Sequence, residues 1–165
     1  MTQEPPKGRG SGVKGRGYQQ LLAWQRAHEL APAVFRVGAS LSRSNGWLRS
    51  QCTRSSVSVA ANIAEGYSRG SLREYIQFLN IARGFLAETE YHLLFMHDTG
   101  LIQANAYTEL EPLVHETGNL LLGLIRSLRA KDTAGDREPQ RIREEPGEYS
   151  ALDPRPVTLD PKESA

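Results

Sequence analysis

The residues best suited to chemistry in this 165-residue chain are four histidines, one cysteine and several carboxylates. His92 and His97 are five positions apart, so they do not share a helix face as a zinc pair four positions apart does. The sequence contains no His-Glu-x-x-His motif and no cysteine cluster. Ligand spacing therefore predicts no metal site and no cofactor, and we interpret the histidines as surface or interface residues.

The single cysteine, Cys52, excludes an internal disulfide framework. It falls on the apolar stripe of a predicted helix, where a thiol usually packs as a small hydrophobic group. A reactive thiol needs an electropositive and partly exposed setting. The sequence thus predicts a structural cysteine and no enzyme activity.

A polar set formed by Asn62, Glu65, Arg83 and Glu88 is the next candidate. Paired carboxylates can act as acid and base, but a two-metal site in a helix bundle uses Glu-x-x-His spacing, and Tyr91 stands three positions after Glu88. We interpret the set as a structural network in which Arg83 pairs with Glu65 or another carboxylate and Asn62 satisfies backbone groups. Loss of a partner from a buried charge costs about 3–5 kcal/mol, so such a network fixes one packing register.

Arginines dominate one stretch of an otherwise nearly neutral chain, which has 20 Lys and Arg against 19 Asp and Glu. Between positions 43 and 73 the only acidic residue is Glu65, and the basic residues are Arg43, Arg49, Arg54, Arg69 and Arg73. We expect these five to form a surface that binds RNA or DNA by salt-dependent phosphate contacts. The alternative interpretation is an ordinary solvated helix face.

Two short Arg-Gly segments, Gly8-Arg9-Gly10 and Gly15-Arg16-Gly17, lie near the N-terminus. Segments of this kind bind single-stranded nucleic acid through charge and guanidinium stacking. With two copies only, a solvated flexible leader is an equally open interpretation.

Composition divides the chain into three parts. Residues 1–17 are rich in glycine, proline and basic residues, and residues 131–165 carry nine acidic against six basic residues with five prolines. Both segments lack the apolar residues that offset ordering entropy, so we predict a disordered basic leader and a disordered acidic tail. The core is residues 18–130. Without a long apolar stretch or a signal sequence, we expect a cytoplasmic protein with no membrane partner.

Helical periodicity runs through the whole core, in four segments. The first extends from Tyr18 to Leu41, with a kink or a break expected near Ala31 because Pro32 follows. The second extends from Trp47 to Glu65, with Gly66 expected in the left-handed conformation just after it.

The third segment begins at Ser71, whose spacing to Glu74 predicts a capping box, and ends at Gly100. The fourth extends from Gln103 to Ala130. Four long helices with short connections predict an all-α, antiparallel up-down-up-down four-helix bundle. Aromatic residues widen the apolar face of the third helix beyond one seam, which favours oligomerisation: Phe78, Phe85, Tyr91 and Phe95.

Three sequence blocks resemble a known family of bacterial four-helix-bundle proteins. They are the opening Leu22-Ala23-Trp24-Gln25-Arg26-Ala27, the segment from Gln51 to Tyr67 that contains Asn62-Ile63-Ala64-Glu65-Gly66, and the segment from Phe78 to Glu88. The family comprises the proteins encoded within ribosomal-RNA intervening sequences and, more distantly, the accessory variability proteins of diversity-generating retroelements. The resemblance covers about residues 18–130 and departs from the family in the Ser-Arg-Ser-Asn-Gly loop and at Gly84-Phe85.

The resemblance implies a homopentamer without known enzymatic activity. For the retroelement members it implies binding to a reverse transcriptase and to nucleic acid through a basic surface. Our first expectation is a non-enzymatic, oligomeric nucleic-acid-binding adaptor, in one version acting with a reverse transcriptase in mutagenic reverse transcription. The alternative is a self-assembling structural or protein-interaction bundle of the intervening-sequence type without a nucleic-acid role.

Overall fold

Four long α-helices form the computed structural model, which describes residues 17–133. They are α1 (Leu22–Ala39), α2 (Gly46–Tyr67), α3 (Leu72–Asp98) and α4 (Ala104–Thr133), with short 3₁₀ helices at Gly17–Gln20 and Arg43–Asn45. The described residues contain no strand. The disorder predicted for the leader and the tail concerns residues 1–16 and 134–165, which lie outside the described part of the chain.

Each helix packs against the next one, and α4 returns to α1, so the four helices enclose one core. This arrangement confirms the predicted all-α antiparallel bundle. Leu30, Leu79, Leu86, Leu121 and Leu124 are fully buried at its centre. Burying one such side chain stabilises the fold by about 1.5–3 kcal/mol, so these inward-facing stripes hold the bundle together.

Helix α1 continues through Pro32, so the break expected near Ala31 is not present. Pro32 is exposed, and its ring therefore does not disturb the core side of the helix. Ala27, Leu30 and Val34, on both sides of the proline, all remain buried in the core. Their packing offsets the one backbone hydrogen bond that proline cannot donate.

The end of α2 differs from the prediction at Gly66. The helix runs on to Tyr67, and the only residue with a positive φ among those described is Gly100. A Cβ at Gly66 would lie 2.7 Å from Phe78 Cβ and 2.9 Å from Tyr75 Cδ2. Gly66 is therefore a close-packing residue of the α2–α3 contact and not a left-handed helix terminator.

Both predicted limits of α3 are confirmed. The Glu74 backbone N–H donates to Ser71 Oγ at 3.2 Å, and Ser71 Oγ donates to Glu74 Oε2 at 2.8 Å. At the other end Gly100 adopts φ 67° and its N–H donates to the His97 carbonyl at 2.9 Å. These local signals define a helix of 27 residues, about 40 Å long.

The bundle has two ends, which are named here by their connections. The loop end contains residues 40–45, between α1 and α2, and the turn end contains residues 68–71, between α2 and α3. No described helix combines the length and the apolar character that crossing a membrane requires.

Candidate nucleic-acid interface

The five arginines predicted to bind nucleic acid are all exposed. Arg43 lies in the 3₁₀ helix after α1, and Arg49 and Arg54 follow on α2. Arg69 lies in the connection after α2, and Arg73 lies in the first turn of α3.

The structure distributes these arginines over the two ends and does not bring all five together. Twenty positions separate Arg49 from Arg69, which corresponds to about 30 Å along the axis of α2. We call Arg43, Arg49 and Arg54 the loop-end arginines and Arg69 and Arg73 the turn-end pair. The single basic patch expected from sequence proximity is therefore wrong for one protomer, because a helix of this length separates residues that the chain places near one another.

The loop-end arginines have few partners. Arg54 donates to the neutral Gln51 side chain, while Arg43 and Arg49 have no acidic partner within residues 17–133. The stem of Arg49 packs on Gly38, where a Cβ would lie 3.0 Å from Arg49 Cγ. Gly38 thus lets the side chain lie along α1 while its guanidinium group stays in solvent.

An absence of acids extends this surface along the chain. Between Glu29 and Glu65 there is no Asp or Glu, and the exposed Arg36 on α1 joins the loop-end arginines in that stretch. Two carboxylates of α3 lie at this side of the bundle: Asp98 pairs with His97 at 3.1 Å, and Glu88 acts on His92 together with Arg54. The four arginines of the stretch therefore keep an unneutralised excess of positive charge.

The turn-end pair is more constrained. Arg69 donates to the Glu65 carboxylate, and its guanidinium carbon lies 4.7 Å from the centre of the Phe78 ring. Arg73 has no acidic partner among the described residues. One of the two predicted contacts is thus already neutralised by a neighbour four positions earlier.

The polar set predicted around Arg83 separates into local contacts. Asn62 Nδ2 donates to the Ser58 carbonyl at 2.8 Å, as expected for a residue that satisfies the backbone of α2. The pairing of Arg83 with Glu65 is wrong, since Glu65 accepts from Arg69 and Arg83 Nη1 makes a long contact of 3.5 Å with Asn80 Oδ1. Glu88 has no ion pair among the described residues. Intrahelical partners are closer for these side chains than the facing helix is.

The thiol of Cys52 is buried, as predicted, with 1% of its surface exposed. Burial, and secondarily the nearby Glu88 charge, raises its pKa to about 12. At neutral pH the group is a protonated thiol in an apolar setting and does not act as a nucleophile. Within residues 17–133, no group of three histidine, cysteine or carboxylate side chains is placed to hold a metal ion.

A shallow cleft between α3 and α4 brings together Glu90, Tyr107, Glu111 and His115. Burial is the main reason that the pKa of Tyr107 is raised, and the charges of Glu111, Glu90 and Asp98 add to it. The phenol therefore stays protonated at neutral pH. Sequence reasoning did not select this cleft, because Tyr107 and Glu90 meet only through the packing of two helices.

Large apolar side chains are exposed on the outside of the bundle. On α3 the exposed fractions are 40% for Ile81, 57% for Tyr91 and 37% for Phe95, and on α2 Val57 is 51% exposed. Gly84 lies on the same outer face of α3, and a Cβ there would meet nothing within 4 Å. Tyr91 and Phe95 extend beyond the inner seam as the sequence predicted, whereas Phe78 and Phe85 are half-buried against the core.

Comparison with known families gives this architecture a context. The model of the 23S rRNA-intervening sequence protein family matches residues 19–123. The chain belongs to this family. The predicted relationship to the intervening-sequence proteins is thereby confirmed, while the link to diversity-generating retroelements stays a prediction.

One solved structure is similar over nearly its whole length. It is a protein of unknown function from the S23 ribosomal protein family of Bacteroides thetaiotaomicron VPI-5482, 27% identical, with a TM-score of 0.60. The similarity covers 64% of this chain and 99% of that one. No curated protein matches the chain significantly. The comparisons therefore support the fold and the family and name no activity.

Proposed function

We propose that this protein is a non-enzymatic, self-associating bundle that binds RNA through the loop-end arginines. The observation that carries the proposal is the acid-free stretch between Glu29 and Glu65, which holds exposed arginines with no acidic partner within the described residues. Guanidinium groups match phosphate oxygens in geometry and charge, so this surface is suited to a nucleic-acid backbone. Its contacts are to phosphate, and the binding is expected to tolerate differences in sequence.

Salt dependence gives the proposal a quantitative form. If the four arginines of the stretch each contact one phosphate of a single strand, the affinity falls with the logarithm of salt concentration with a slope of about −3. Repetition of the surface in an oligomer would add to the number of contacts and raise the affinity by avidity.

The experiment compares two variants with equal charge changes. Arg49→Glu/Arg54→Glu reverses two loop-end arginines, and Arg126→Glu/Arg129→Glu reverses two cationic side chains on the exposed surface of α4. In a gel shift with RNA, we expect the first variant to lose at least about tenfold in affinity and to flatten the salt slope. The second is expected to retain most of the affinity. Equal binding by the two variants, with both folded, contradicts the proposed surface.

A second function is supported by a separate observation, the exposed apolar face of α2 and α3. Tyr91, Phe95, Ile81 and Val57 would be removed from water by a second copy, and Gly84 permits close approach of a helix. Self-assembly, with the homopentamer that the family resemblance implies, is thus the alternative should nucleic acid play no role.

The oligomeric state is tested by sedimentation velocity. Tyr91→Lys/Phe95→Lys is expected to reduce the mass to that of a smaller species, whereas Gln77→Lys, an exposed polar position on the same helix, is expected to change nothing. A monomeric wild-type protein would contradict self-association. An intact oligomer that binds no RNA at low salt would leave self-assembly as the function and remove the RNA proposal.

We place this activity in the cytoplasm. In the more specific version of the proposal, the bundle acts beside the reverse transcriptase of a diversity-generating retroelement. Co-purification of a reverse transcriptase with the tagged protein from its native host supports that version, and a gene that lies inside a ribosomal-RNA gene contradicts it.

A further inference from the structure

A second cluster with possible affinity for nucleic acid lies at the turn end, about 30 Å along α2 from Trp47. Tyr18, Trp24, His28 and Tyr67 contact one another there in a continuous series. We call these four residues the aromatic platform. None of them belongs to the loop-end surface.

The platform consists of flat rings in defined orientations. Trp24 and His28 are stacked with ring centres 4.7 Å apart and an angle of 9° between their planes. Tyr18 contacts Trp24 edge-on at 5.2 Å and Tyr67 at 6.4 Å. The series thus joins the first turns of α1 to the last residue of α2.

A buried ring anchors the platform, and its outer rings remain accessible. Tyr67 contacts Tyr75 at 6.0 Å, and Tyr75 is only 6% exposed because it packs in the core. Tyr67 itself is 40% exposed, and His28 is also exposed. The stack of Trp24 on His28 therefore ends in a ring that solvent reaches, held in place without a loop to reorganise.

The basic leader is attached at this point of the molecule. Gly17, the first described residue, lies so close to Tyr67 that a Cβ would come within 2.3 Å of the Tyr67 hydroxyl oxygen. Residues 1–16 contain four basic residues and one acidic residue, and Arg16 directly precedes Gly17. Arg69, over the Phe78 ring, and Arg73 lie in the adjoining connection. Cations therefore adjoin the exposed rings through chain connectivity alone.

We propose that the aromatic platform stacks the bases of single-stranded RNA, with the leader of residues 1–16 contacting the phosphates. This inference rests on the proposed RNA-binding function and assigns to it a second site of different chemistry. Flat rings next to a positively charged chain fit single strands, whose bases are free to stack, and do not fit a duplex, whose bases are already stacked. A peptide partner would instead need an apolar groove, and Glu65 and Glu74 flank the turn with polar surface.

The chain contains two tryptophans, one at each end of the bundle, and they serve as separate reporters. Trp47→Phe leaves Trp24 of the platform, and Trp24→Phe leaves Trp47, which is 61% exposed. Oligouridylate of twelve nucleotides is expected to quench the emission of the Trp47→Phe protein, and a duplex of equal length is not. Unchanged Trp24 emission at saturation, with binding verified by gel shift, overturns the proposal.

Two substitutions on α1 provide a matched comparison. His28→Ala removes the exposed ring of the platform, whereas Phe35→Ala removes a 56% exposed ring from the same helix near the loop end. We expect the first to weaken oligouridylate binding about tenfold, the effect of losing one stacked base, and the second to leave it unchanged. Equal affinities of the two folded variants contradict a stacking role.

The full-length variant Arg9→Ala/Lys14→Ala/Arg16→Ala tests the leader, and it is expected to flatten the salt dependence of oligouridylate binding. An unchanged slope removes the leader from the proposed site. The outcomes separate the two proposals. Quenching that survives Arg49→Glu/Arg54→Glu supports the platform and contradicts the loop-end surface, whereas binding that is lost in that variant and insensitive to His28→Ala does the reverse.

Discussion

At the turn end, aromatic side chains contact one another and close around the chain, whereas at the loop end Phe35 and Trp47 stand exposed and have no ring contact among the described residues. The glycines follow the same division: Gly66 faces side chains of α3 at close range, while Gly46 faces open space. Similar residue types thus have different tasks. Packed rings position the turn end, and exposed, unpaired arginines leave the loop end available for a ligand.

The largest effect is expected from a side chain added where the turn end is tightest. Gly66→Val places a Cβ within 2.7 Å of Phe78 Cβ, an atom that cannot move without its helix. We expect the free energy of unfolding to fall by about 3 kcal/mol in urea denaturation followed by circular dichroism.

The matched change at the loop end is Gly46→Ala, in the first turn of α2 with open space around it. It is expected to raise the free energy of unfolding by up to about 1 kcal/mol, because alanine restricts the unfolded chain without a clash in the folded one. Changes of the same sign and size at Gly46 and Gly66 would contradict the contrast between the two ends.

An effect of intermediate size is expected from the helix caps. The Ser71 hydroxyl accepts the Glu74 N–H at the start of α3, so Ser71→Ala is expected to cost about 1 kcal/mol in the same measurement. Asn45, which precedes α2 at the loop end, makes no side-chain cap hydrogen bond. Asn45→Ala is therefore expected to stay within about 0.5 kcal/mol of the wild type, and a larger loss there would show a cap that the structure lacks.

The smallest effect concerns the tryptophans of the free protein. Acrylamide is expected to quench Trp47 with a steeper Stern–Volmer slope than Trp24, since Trp47 is 61% exposed and Trp24 is half-buried against Tyr18 and His28. The variants Trp24→Phe and Trp47→Phe isolate the two signals. A reversed order would mean that the platform is more open than its ring contacts indicate.

Local signals were sufficient to predict the number and order of the helices and several of their limits. Ser71 with Glu74 and the left-handed Gly100 act within a few residues of themselves, so the sequence pattern contains all the partners they need. The burial of Cys52 likewise follows from its place on an apolar stripe. In each case the determining interaction is local or depends only on which helix face turns inward.

The errors occur where a residue's role depends on a distant segment. Gly66 resembles a helix terminator in sequence, and only Tyr75 and Phe78 on the neighbouring helix reveal it as a close-packing position. Glu65 was expected to pair with Arg83, but Arg69, four positions away on the same chain segment, reaches it first. Pro32 was expected to interrupt α1, and burial of its neighbours in the core keeps the helix continuous.

By itself, the sequence determined four amphipathic helices, a buried thiol and an arginine-bearing stretch without acids, because periodicity, polarity and charge count are properties of the chain. Only the tertiary structure decided that Arg49 and Arg69 lie at opposite ends and that Tyr18, Trp24 and Tyr67 meet. Antiparallel packing separates residues that are near in sequence along a rigid helix axis and joins residues that are far apart across the contact between helices.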